Sequence, residues 1–301
     1  MSALLGHDEA EPWLQLRDPQ VRALGFAVGS MPLLQAWPNA GSMPIELPDG
    51  TFWRQQLQRY WPRLLALDAN PRPLHHALQR NPQQHPQQRL GYYFEDLLAF
   101  WLQDDGWHEF KLIGRGIQLL DGRRTLGELD FLLENRDTGQ IEHWEVCIKF
   151  YLGEGSLRPA EWVGLQRQDT LGRKLHHLQQ RQFSTKRIQG LTIDHRRAVI
   201  KGRLFWPTQC ATMNDVPDWL HPLHLRGTWQ SRIPDALDPT LYWRRASRLE
   251  WLASHPLAVD RQYRPTYWSS GLYLGQDVAT RTQQHLMLRL DTRSTPAPYV
   301  A

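Results

Sequence analysis

Over residues 89–152 the apolar pattern changes its period, and that change restricts the chain to a sheet with helices laid against it. In "RLGYYFEDLLAFWLQDD" (89–105), Tyr93, Leu97, Phe100 and Trp101 recur at helical spacing. From residue 109 the repeat is two. "EFKLIGRGIQLL" (109–120), "TLGELDFLLEN" (125–135) and "IEHWEVCIKFYL" (141–152) read as strands, with "DGRR" and "NRDTGQ" as the turns between them. A helix is expected over 165–183 and a fourth strand over "RAVIKGRLFW" (197–206). Helix, three strands, helix, strand is the order of an α/β sheet flanked by helices.

The flanks are less regular. Residues 12–36 and 51–68 read as helices, the second with Trp53, Leu57, Tyr60, Trp61 and Leu64 at three- and four-residue spacings. Residues 70–88 carry four prolines and many glutamines and read as a polar connector with one helical turn. Beyond Pro207 the pattern is irregular and rich in Trp and Pro, apart from a helix expected over 238–254. Three parts follow: an N-terminal helical region (1–88) packed on the core, the core itself (89–206), and a C-terminal extension (207–301).

A chain of 301 residues can bury a sizeable core. Its two cysteines, Cys147 and Cys210, exclude a disulfide framework and a four-cysteine zinc site. The start "MSALLGHDEAEPW" has no basic, then apolar, leader, and no apolar run approaches the roughly 20 residues that span a bilayer. A cytoplasmic protein without a membrane partner is expected. Only five of its 35 basic residues are lysine, and arginine binds phosphate bidentately. That composition suits a nucleic-acid partner, although on charge alone a genomic bias toward arginine is the favoured explanation.

The third strand holds the chemistry. Side chains alternate along a strand, so Trp144, Val146, Ile148 and Phe150 form one apolar face. His143, Glu145, Cys147, Lys149 and Tyr151 form the other. On the preceding strand Leu129, Phe131 and Leu133 face one way, while Glu128, Asp130 and Leu132 face the other. Matched apolar faces bring Asp130 to the side of Glu145 and Lys149. Carboxylates and a lysine on a largely buried surface are expensive unless they pair or bind something. Two readings stand: a buried ion pair of Lys149 with Asp130 or Glu145, or a divalent-metal site, since carboxylate oxygens suit Mg²⁺ or Mn²⁺. In the second, Lys149 positions the attacking hydroxide.

"GELDFLL…HWEVCIKFYL" resembles the core of PD-(D/E)XK nucleases, in which a Gly-Glu-hydrophobic-Asp strand precedes a strand ending Glu-x-Lys. Within that superfamily the chain resembles the bacterial family 1853 of the domains of unknown function, through "LGYYFEDLLAFWL", "ELDFLL", "WEVCIKFYL", "DTLGRKLHHLQQRQ" and "KGRLFWP". The resemblance implies a restriction-endonuclease-like α-β-β-β-α-β core, with Mg²⁺ (or Mn²⁺) as cofactor and nucleic acid, DNA rather than RNA, as partner. It makes Asp130 and Glu145 metal ligands, Glu95 a third acid from the first helix, and Asp130, Glu145 and Lys149 the catalytic set. The chain departs from the pattern at Cys147, where the superfamily has an acid. Glu145 lies two residues earlier, about 6.6 Å along the strand. Thiolate is too soft for Mg²⁺, so Cys147 reads as a packing residue.

Other candidates are weaker. Glu128 is a reserve ligand. Gln166, Asp169 and Lys174, placed on the following helix, are expected to approach substrate or to form an ordinary solvated face. The pairs His75–His76 and His176–His177 lack metal-ligand spacing. Trp206, Trp219, Trp229, Trp243 and Trp251 are expected to pack rather than to stack on bases. Two functions follow: a metal-dependent nuclease, or an inactive relative that binds nucleic acid or a protein.

Overall fold

The computed structural model describes residues 11–38, 44–79, 90–121, 124–210, 216–233, 240–254, 268–277, 279–280 and 282–290, with the side chains at 120, 121, 124–126 and 210 outside that description. Helix α1 (Pro19–Gly29) starts where the Asp18 carboxylate accepts the N–H groups of Gln20 and Val21, with Pro19 preset for the first turn. Residues 12–36 are therefore one short helix preceded by a 3-10 turn (Pro12–Gln15). From Met31 the chain is no longer helical, because Pro32 opposes helical geometry in the residue before it. Helix α2 (Gly50–Ala69) buries Trp53, Leu57, Tyr60 and Leu64 of its predicted stripe, adds Leu67, and leaves Trp61 half-buried. The polar connector contains a full helix, α3 (Arg72–Gln79), anchored by buried Leu74, and its remainder lies outside the described residues. Helix α4 (Leu90–Gln103) completes this layer.

Strands β1 (Phe110–Asp121), β2 (Arg124–Asn135) and β3 (Ile141–Gly153) form the antiparallel meander expected. A two-residue strand, β4 (Trp162–Val163), folds back on the end of β3. Helix α5 (Leu171–Gln180) begins later than its spacing suggests. The Thr170 hydroxyl caps it, and Gly164 N–H bonds to the Asp169 carbonyl, which holds 164–169 as a turn. After the small hairpin β5 (Arg187–Ile188) and β6 (Leu191–Thr192), strand β7 (His195–Pro207) lies parallel to β3 from Glu142↔His195 to Leu152↔Phe205.

The C-terminal extension departs from expectation. It contributes β8 (Arg226–Gln230), β9 (Leu241–Arg245), β10 (Gly271–Asp277) and β11 (Gln283–Leu288), so that the sheet runs β1-β2-β3-β7-β8-β11-β10-β9. The helix expected over 238–254 is strand β9 followed by a 3-10 turn (Leu249–Trp251), with 238–239 outside the described residues. Pairing with β10 gives the β9 backbone its partners, and Leu241 and Trp243, two apart, bury on one side. The mixed sheet carries α1, α2 and α4 on one face and α5 on the other. No helix among the described residues is long and apolar enough to cross a membrane.

Tryptophans build this interior. Trp13, Trp53, Trp101, Trp144 and Trp162 are fully buried, and Trp144 meets Phe110 edge-on at 4.9 Å. Trp206, Trp243 and Trp251 are also buried, as the packing reading expects. Lys201 ends α1 from within: its ammonium donates to the Ala27 carbonyl at 2.7 Å and the Val28 carbonyl at 3.2 Å, and lies 3.4 Å above the Trp53 ring.

His224 is buried, with Nδ1 on the His221 carbonyl and Nε2 without a partner. Burial lowers its pKa to about 3. The unfolded imidazole takes up its proton near pH 6.5 while the folded one does not, so stability falls as pH drops below 6.5. Urea titrations at pH 7 and pH 5 are expected to differ by about 2 kcal/mol less for His224→Asn than for the native chain. An equal difference in both would show that His224 is not neutral in the fold.

Candidate active-site cleft

β2 and β3 pair only between Phe131↔Trp144 and Glu134↔Ile141. At Asp130 the strands part. There the Asp130 carboxylate, instead of a β2 carbonyl, accepts the Val146 N–H at 2.8 Å. Leu129 accordingly leaves the face of Phe131 and Leu133 and joins a cluster with Leu132, Ile188 and Ile193, contrary to simple alternation. The parting opens a cleft of about 1010 Å³ whose wall includes Glu95, Glu128, Asp130, Cys147, Lys149 and Lys174.

Two carboxyls in it and a third, Glu145, buried behind its wall are held above their ordinary range. Burial raises Asp130 to about 7, helped by the charge of Glu145. Burial likewise raises Glu145 to about 8, opposed by Lys174 and by contact with Asp130. Glu95, reaching in from α4, is raised to about 8 by burial and then by Asp130. Glu145 is fixed at both oxygens. His143 Nε2 lies 2.7 Å from one, with the imidazole itself fully buried and, by burial, held near pKa 3; Gln182 Nε2 donates to the other. A neutral His143 and the Glu145 carboxyl group thus share a buried hydrogen bond.

Lys149 makes neither buried pair that its spacing allows. Its ammonium bonds to Asp169 at 2.9 Å, and the Tyr151 hydroxyl donates to the same carboxylate at 3.0 Å. Gly202 makes room for this: it is the register partner of Lys149, has φ 135°, and a Cβ there would lie 1.8 Å from the Lys149 carbonyl oxygen. The cation that Asp130 and Glu145 feel is Lys174, on α5, whose Nζ donates to Gln182 Oε1 at 3.1 Å. Gln166 and Asp169 reach the cleft from the turn before α5, not from the helix. Cys147 packs partly against the second core, its thiol pKa raised by burial.

Sequence reasoning missed His143 as the orienting partner of Glu145, and Gln182, Gly202 and Arg248 altogether; it named Trp251 only as a packing residue. The alternation of β3 placed His143 on the correct face; nothing in the sequence tied the others to the strand.

The profile of the family described as Domain of unknown function (DUF1853) matches residues 22–297. The chain belongs to this family. The matched region of the DUF1853 chain spans all five helices but the first three residues of α1, every strand, and each residue of the cleft. No curated protein and no solved structure matches it.

A divalent cation fits this donor set within limits. Among the described residues, no group of three His, Cys, Asp or Glu side chains is arranged to hold a metal. Asp130, on the cleft wall, and Glu145, buried beside it, are hard oxygen donors whose charged forms burial disfavours. That matches Mg²⁺ held through one or two carboxylates with other oxygen ligands, rather than a closed protein cage.

Proposed function

We propose that the chain is a PD-(D/E)XK-like, divalent-metal-dependent phosphodiesterase of nucleic acid, with a restriction-endonuclease-like core over 89–206. One observation carries this reading: Glu95 and Asp130 meet Lys149 and Lys174 in a single open cleft where β2 leaves β3, with Glu145 buried beside Asp130. The α-β-β-β-α-β order with β7 parallel to β3 supports it, as does the arginine-rich composition.

Asp130 and Glu145 would hold Mg²⁺ or Mn²⁺, with Glu95 behind them. Such an ion supplies Lewis-acid polarisation and a water of lowered pKa. The protein's own contributions are positional and electrostatic. His143 and Gln182 fix both oxygens of Glu145. Lys174 offsets the acids, and Lys149, oriented by Asp169, offers a cation to the negative charge that grows on a phosphodiester under attack. Gln166 and Asp169 line the cleft where the polymer would lie.

A second reading, an inactive relative that binds nucleic acid or a protein, draws on one observation. Both oxygens of Glu145 are already hydrogen-bonded within the protein. Incubation of the purified chain with DNA and RNA in Mn²⁺ or Mg²⁺, beside Lys149→Ala, separates the two. Cleavage reduced about a hundredfold in the variant is expected for a lost electrostatic contact. No cleavage of any polymer by the native chain would leave the binding reading.

A further inference from the structure

The turn after β9, in the C-terminal extension, lays two residues against the cleft from the side of α4. Trp251 is buried and meets Phe150 of β3 edge-on, ring centroids 5.2 Å apart. Arg248 sits with its guanidinium carbon 4.1 Å above the Trp251 ring, and both residues line the cleft that holds Asp130 and Lys149.

The acid nearest in sequence does not neutralise Arg248. Glu250 is bound by Arg244 through both guanidinium nitrogens and by the Ser247 N–H at 2.9 Å. Among the described residues Arg248 has no hydrogen bond to its side chain and no ion pair. Its pKa is lowered by burial with no carboxylate to raise it, though an arginine stays charged. An arginine held on a rigid indole keeps its planar fork of donors presented and loses little freedom on binding. Exposed at the cleft and, among the described residues, without a counterion, it is prepared for an anion from outside the protein.

We propose that Arg248, seated on Trp251, is a phosphate contact for the nucleic-acid backbone, supplied by the C-terminal extension across the cleft from Lys174. This rests on the phosphodiesterase reading for its ligand class. Trp251 is too buried to stack on a base, so the contact reads phosphate and not sequence.

The test is fluorescence anisotropy of a fluorescein-labelled single-stranded DNA with the full chain in EDTA, across a salt series. Arg248→Ala is expected to bind about tenfold more weakly, with the slope of log Kd against log salt smaller by about 0.7, the value of one released single-strand contact. Arg248→Lys, which keeps the charge and loses the fork, is expected to retain the slope and bind more weakly than the native chain. Native affinity and native slope in Arg248→Ala overturn the proposal, and so does a native chain that binds no DNA. Cleavage is read separately with Mn²⁺. A native chain that binds through Arg248 but never cuts leaves this contact standing and removes the phosphodiesterase reading. One that cuts unchanged as Arg248→Ala, with unchanged binding, does the reverse.

Discussion

Gly202→Ala is expected to destabilise the protein by on the order of 4 kcal/mol, lowering the melting temperature by about 10 °C. Two causes add. The residue has φ 135°, a conformation that a Cβ resists, and that Cβ would lie 1.8 Å from the Lys149 carbonyl oxygen, 2.8 Å from its carbon and 2.9 Å from its nitrogen. The neighbour is backbone in the middle of a buried parallel ladder, so it cannot swing aside as a side-chain tip would. Relief requires β3 and β7 to separate at Lys149, which also displaces its ammonium from Asp169. Gly91→Ala is the comparison, because nothing lies within 4 Å of its added Cβ and it stands in a helix. There alanine is expected to stabilise by about 0.5–1 kcal/mol. Paired thermal melts decide the matter: a Gly202→Ala protein that melts with the native chain would mean that β3 and β7 are not this close.

Asp130→Asn is expected to lose about a thousandfold of metal-dependent cleavage while the protein stays folded, since about 4 kcal/mol of barrier lowering corresponds to three decades in rate. The asparagine carbonyl can still accept the Val146 N–H, which keeps the point where β2 leaves β3 intact. What disappears is the charge, which burial makes costly unless a cation lies beside it. A readout apart from activity is thermal stabilisation by Mn²⁺, expected for the native chain and absent for Asp130→Asn. Equal stabilisation of both would place any cation elsewhere.

The helices that bury one stripe and the strands that bury alternate residues were legible because their periods survive in the sequence. The α2 stripe from Trp53 to Leu64 and the two faces of β3 stand where spacing puts them. Asp130 and Glu145 are neighbours for the same reason. Where a backbone's partners come from far along the chain, period misleads. Leu241 and Trp243 sit in a stretch whose apolar spacing suits a helix, yet β10 draws it into the sheet. Leu129 breaks alternation because β2 has already left β3. Gln182 and Arg248 reach the cleft from 3-10 turns, which carry no periodic signal at all. Lys149 was placed on the correct face and given the wrong partner, since strand alternation fixes a side and not the direction of a long side chain.

Synthesis of the chain meets the sheet in an awkward order. By Pro207 the ribosome has released every acid of the cleft and the strands that carry them, but beyond β3 only Leu33 and Glu46, among the described residues, then bond to the other side of β7, leaving its end from Leu204 unpaired there. Its far edge is taken by β8, and β8 waits in turn for β11, made last, while β9 and β10 cannot find their places before it. Until β11 is made, the nascent protein thus carries unpaired strand edges and a half-walled cleft. Such edges invite pairing with other chains, and closing contacts so distant in sequence is slow. Any shortened version ending at residue 206 is held at that stage for good.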